Sequence, residues 1–131
     1  MQPREKLRVY HVDDSSMMVL LLKRMIEEEV DAEVVGSAGD AETAIAEIAV
    51  LRPDVVIVDL WLSSGSGYDV LKATEGLPLT RLVLTSNTLP PLREAARNLG
   101  LGDEHFFDKS SEIDSFATTM RQLANVRGLQ S

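Results

Sequence analysis

The chain has 131 residues, 44% hydrophobic and 26% charged, with a net charge of −8 and no cysteine. That length favours one domain with a real core, and the composition excludes disulfides and thiolate metal sites. No apolar run is long enough to span a bilayer, the opening MQPREKLRVY lacks the apolar core of a signal peptide, and the acidic balance argues against gripping a phosphate backbone.

Leu7 to Val12 (LRVYHV) reads as a strand that runs into Asp13-Asp14. Ser15 can cap the helix that follows, whose apolar face is Met18, Leu21, Leu22, Met25 and Ile26. Glu33 to Ser37 is a short second strand. Asp40 fits an N-cap, and Ala41, Ala44, Ile45, Ile48 and Leu51 form the next apolar stripe. Pro53 stops that helix. Asp54 to Asp59 (DVVIVD) holds four β-branched residues in a row, the pattern of a strand buried on both faces. Asp59 stands at its end. Leu60-Trp61-Leu62 and the loop Ser63 to Gly67 (SSGSG) lead to a short helix through Tyr68, Val70 and Leu71, broken by Leu77-Pro78.

Arg81 to Thr85 (RLVLT) is a fourth strand. Pro90-Pro91 opens a helix with Leu92, Ala95, Ala96 and Leu99 on one face and Gly100 just past its end. His105-Phe106-Phe107 is a fifth strand leading to Asp108-Lys109. Ser111 to Asp114 (SEID) resembles a capping box, and the last helix turns Ile113, Phe116, Ala117, Met120 and Leu123 inward.

Five strands alternating with five helices predict an α/β fold, a parallel sheet covered on both faces by right-handed crossovers. In such a sheet ligands bind beyond the carboxyl ends of the strands. Asp13, Asp14, Asp59, Thr85 and Lys109 all stand at that edge. Clustered carboxylates repel unless a cation neutralises them. Oxygen ligands without a Cys or His cluster favour a hard divalent ion, Mg²⁺ before Zn²⁺. A hydroxyl and an ammonium beside it complete an anion site suited to phosphoryl transfer. Taken singly, each residue has a plainer explanation: a solvated turn, a helix cap, a surface lysine. The joint placement is what points to chemistry. His11 and His105 have no partner at metal spacing and read as packing residues. Arg93 and Arg97 read as a solvated face.

On these residues the chain resembles a receiver domain of a two-component response regulator, over essentially its whole length. The resemblance implies a flavodoxin-like, doubly wound five-stranded sheet in the order 2-1-3-4-5 with five helices, as a single receiver domain over residues 1–131 with no output domain. It implies that Asp59 takes a phosphoryl group from a histidine kinase or phosphotransfer protein. Asp13 and Asp14 match the acidic pair, and with Asp59 and the backbone carbonyl of Trp61 they would hold Mg²⁺. Thr85 and Lys109 match the residues that contact the phosphoryl oxygens. Phe106 takes the place of the switch aromatic, and Gly67 that of the glycine in the loop after the acceptor. The expected role is a cytoplasmic signalling domain, not an enzyme, that assists its own phosphorylation and dephosphorylation. It would act on a downstream protein or output domain through helix four, strand five and helix five, without binding nucleic acid or membrane. Homodimerisation through that face stays open.

The chain departs from the family in three places: at Ser63, at Ser110, and at Pro90-Pro91, two prolines expected to stiffen the start of helix four. Ser63 and Ser110 stand where the family usually has proline. They make a flexible SSGSG loop the expectation, and they keep open a receiver-like interaction module that works without phosphorylation. A dehalogenase-type phosphatase would need an aspartate where Trp61 stands. The indole of Trp61 is expected over the mouth of the site, keeping water from an acyl phosphate, with Asn87 acting oppositely by orienting a water.

Overall fold

The computed structural model describes residues 6–86 and 88–130. Asn87 lies outside the described residues. Five strands, β1 (Leu7–Val12), β2 (Ala32–Ala38), β3 (Val55–Val58), β4 (Thr80–Thr85) and β5 (Phe106–Asp108), make one sheet in the order 2-1-3-4-5. Every pairing is parallel. The helices are α1 (Ser16–Glu29), α2 (Ala41–Leu51), α3 (Gly67–Ala73), α4 (Pro90–Asn98) and α5 (Ile113–Gln130). This is the expected flavodoxin-like arrangement.

The sheet has a core on each face because side chains alternate along a strand. On β3, Val55 and Ile57 join Leu22 and Ile26 of α1 and Phe116 and Met120 of α5. Val56 and Val58 turn the other way, onto Ala44 and Ile48 of α2, Val70 and Leu71 of α3, and Ala96 of α4. All four β3 residues are at most 1% exposed, which is why no polar residue interrupts the run. Each such side chain contributes roughly 1.5–3 kcal/mol by burial. Phe106 and Phe107 divide the same way, Phe106 toward α4 and Phe107 edge-on to Phe116 with ring centroids 5.7 Å apart.

The expected caps are in place. Ser15 Oγ accepts the Met18 amide at 3.2 Å, and Asp40 Oδ2 accepts the Thr43 amide at 2.9 Å. Arg52 ends α2 in a left-handed conformation (φ 49°), held where Arg8 Nη1 donates to the carbonyls of Leu51 and Arg52.

Several local expectations are corrected. His105 is in a short 3-10 turn (Asp103–His105), so β5 begins at Phe106. Leu21 is 51% exposed and Ile113 36%, each at the margin of its helix's apolar stripe. No capping box centred on Ser111 starts α5. The Asp108 carboxylate accepts the amides of Ser110 and Ser111 at 2.7 and 3.2 Å, and the helix begins only after Glu112. An aspartate turn of this kind competes with helical bonding and here delays the start. The SSGSG loop is tied down. Ser63 donates its amide and its hydroxyl to the Gly39 carbonyl, at 3.1 and 2.8 Å, and the Ala41 amide donates to the Ser64 carbonyl at 3.1 Å.

Candidate functional site

Asp59 is placed by the sheet. Its amide donates to the Val12 carbonyl at 2.9 Å, extending the β1–β3 ladder by one residue beyond β3. It is only 5% exposed, so its carboxylate needs partners. Oδ1 accepts the Thr85 hydroxyl at 2.9 Å and the Trp61 amide at 3.1 Å. Oδ2 accepts Lys109 Nζ at 2.7 Å. Lys109 is delivered by the ladder between β4 and β5, where its amide donates to the Thr85 carbonyl at 2.9 Å. A backbone bond thus joins the two residues whose side chains meet on Asp59.

The acidic pair divides. Asp13 is 2% exposed, its Oδ1 accepts the Ser15 amide at 2.9 Å, and its Oδ2 lies 2.8 Å from Lys109 Nζ. Asp14 is exposed. One oxygen from each of Asp13, Asp14 and Asp59 lies within 4.8 Å of the others. Three carboxylate oxygens this close together are a donor set that suits a hard divalent cation such as Mg²⁺.

Lys109 changes the electrostatics foreseen from the strand ends. Three carboxylates alone would repel, but the ammonium pairs with two of them. Burial pushes the Asp13 carboxyl up, yet His11, Lys109 and the Ser15 amide outweigh it and hold it at about 2. Burial lowers the Lys109 ammonium, but the carboxylates of Asp13 and Asp59 outweigh it and keep it above its ordinary value.

Two glycine and serine positions explain themselves here. A Cβ on Gly67 would sit 2.3 Å from the Asp59 carbonyl oxygen and 2.8 Å from Leu60 Cα, so only glycine lets α3 start against Asp59. Ser110 uses the amide that a proline would lack, donating it to Asp108 Oδ1 at 2.7 Å. With the Ser110 hydroxyl as the largest influence, the Asp108 carboxyl is drawn down to about 2.

Trp61 reaches Asp59 through its backbone amide, and the residue is 55% exposed. Two residues carry more than the sequence indicated. His11 is 2% exposed with Nε2 3.6 Å from Asp13 Oδ2, a long polar contact that helps hold that carboxylate charged. Its place two residues before Asp13, on the same face of β1, was a usable signal. Arg93 pairs with Glu112 instead of forming a solvated face, a contact across 19 residues that no local pattern announces.

The model of the response regulator receiver domain matches residues 9–121. The chain belongs to that family. Similar proteins include a protein-glutamate methylesterase/protein-glutamine glutaminase of Koribacter versatilis, 33% identical over 91% of this chain and 32% of that protein. One of Thermotoga maritima is 33% identical over 90% of this chain and 34% of its own length. The chain thus spans about a third of the curated relatives it matches. Among solved structures, the receiver domain of the Mycobacterium tuberculosis NarL regulator has a TM-score of 0.80 at 25% identity, covering 92% of this chain and 98% of that one. The response regulator domain of Thermotoga maritima CheB has a TM-score of 0.75 at 24% identity, over 94% and 96% of the two chains, a likeness of fold. The acidic cluster at the strand ends is typical of phospho-accepting receivers. No described helix is long and apolar enough to cross a membrane.

Proposed function

We propose that Asp59 is the phospho-acceptor of this receiver domain. The observation that carries this reading is a buried carboxylate with one oxygen held by a hydroxyl and an amide and the other by an ammonium. In the reaction, an Asp59 oxygen attacks phosphorus in line with the bond to the donor nitrogen. The P–N bond breaks, the histidine leaves with the electron pair and takes up a proton, and an acyl phosphate forms. Thr85 and Lys109 then shift their hydrogen bonds from the carboxylate to the phosphoryl oxygens, where charge develops. Asp13, Asp14, Asp59 and the Trp61 carbonyl would hold Mg²⁺, which when bound neutralises the carboxylates and the incoming phosphoryl charge.

On this reading the chain is a cytoplasmic signalling domain. Its donor is a histidine kinase or a phosphotransfer protein. The methylesterase activity in the names of the relatives belongs to proteins about three times as long, and what this chain would share with them is the regulatory part. The signal would leave through α4, β5 and α5 to a downstream protein or output domain. Incubation with Mg²⁺ and acetyl phosphate tests the reading by intact mass. One phosphoryl group should add to the wild type and none to Asp59→Asn; equal uptake by both would overturn it.

A further inference from the structure

Arg93, in the first turn of α4, has a side chain only 23% exposed. Its Nη2 lies 3.2 Å from Glu112 Oε1, and its Nε donates to the Thr88 carbonyl at 3.3 Å. Its guanidinium carbon stands 4.7 Å from the centroid of the Phe106 ring, within range of a cation–π contact. Glu112 Oε1 also accepts the Asp108 amide at 3.1 Å, and the Asp108 carboxylate accepts the Thr88 hydroxyl at 3.2 Å. Thr88 is three residues after Thr85, and Glu112 is three after Lys109. The contacts of one arginine therefore tie the segment that carries Thr85 to the segment that carries Lys109.

We propose that Arg93 is a positioning residue for phosphoryl transfer at Asp59. It clips Thr88 to Glu112 over the buried Phe106 ring and so holds Thr85 and Lys109 at the separation the phosphoryl oxygens require. The proposal rests on Asp59 as acceptor. A partly exposed ion pair alone contributes little. The guanidinium is different because one planar group stacks on a ring and donates in its own plane, which an ammonium cannot do. Groups held in place before reaction lower the barrier by the ordering they no longer require. Asp13 and Asp14 follow β1, on the other side of Asp59, and the clip reaches the carboxylates only through Thr85 and Lys109, so its loss falls first on phosphoryl transfer.

The test uses the full chain and the variants Arg93→Ala, Arg93→Lys and Glu112→Gln. Two quantities are read: Mg²⁺ affinity, by titration of Trp61 fluorescence, and the rate of phosphorylation by acetyl phosphate. Arg93→Ala should slow phosphorylation about five-fold, equivalent to about 1 kcal/mol of barrier, with a clearly smaller change in Mg²⁺ affinity. Arg93→Lys should be slowed less. Adding Glu112→Gln to Arg93→Ala should cost nothing further, because both break one clip. A wild-type rate in Arg93→Ala would overturn the proposal, as would a parallel fall of rate and Mg²⁺ affinity. Should the alanine variant not fold, Arg93→Lys and Glu112→Gln decide the matter by the same two readings. A wild type that takes up no phosphoryl group would defeat the acceptor reading itself, and the unmutated control tells that failure apart.

Discussion

Lys109 Nζ lies 2.7 Å from Asp59 Oδ2 and 2.8 Å from Asp13 Oδ2, so a single ammonium binds the end of β3 to the end of β1. Both carboxylates are almost fully buried. Removing the lysine would leave two buried charges without their cation. Breaking a buried pair costs about 3–5 kcal/mol, and the 16% exposure of the lysine side chain places this case near the lower end. Lys109→Met should therefore lower stability by about 3 kcal/mol in chelator, and added Mg²⁺ should restore part of it. Urea melts with and without Mg²⁺ check this. A variant as stable as wild type in chelator would show that water already compensates the two carboxylates.

Asp13 gives a pH dependence of definite sign. Its carboxyl is held at about 2 against an ordinary 3.8, so the charged form is the one the fold favours. The stability it contributes is present above 3.8 and is lost as the pH falls toward about 2. The difference corresponds to about 2 kcal/mol. In chelator, wild-type stability should fall more steeply across that window than that of Asp13→Asn. Urea melts at stepped pH provide the comparison, and parallel curves would mean that Asp13 is not depressed.

Gly67 is tested by one methyl group. A Cβ at this position would press on the Asp59 carbonyl and on Leu60 Cα, both backbone atoms with no freedom to give. Gly67→Ala should cost about 2 kcal/mol or more, as overpacking does, and should slow phosphorylation by moving Asp59. Thermal melts and the acetyl phosphate rate check both parts. A neutral Gly67→Ala would show that α3 can back away from Asp59.

The fold was legible because its signals are local and repeated. The unbroken run Val55 to Val58, the caps Ser15 and Asp40, and the alternation of strand and helix all sit within a few residues of what they determine. The site was legible because parallel strand ends share an edge, which carried Asp13, Asp59, Thr85 and Lys109 to one place. What escaped was set by contacts between distant segments or by competition between two local signals. The Arg93–Glu112 pair belongs to the first kind. The start of α5 belongs to the second, where the Asp108 turn outcompeted a cap at Ser111.

If Asp59 carries the phosphoryl group, reductive trapping will mark it. Borohydride converts an aspartyl phosphate to homoserine, marking the acceptor by a change in the chain itself. After reaction with acetyl phosphate and Mg²⁺, peptide mapping should find homoserine at position 59 and nowhere else, and none after prior hydrolysis of the acyl phosphate. Homoserine at Asp13 or Asp14, or a phosphoryl group on His11 or His105 with position 59 unchanged, would contradict the account.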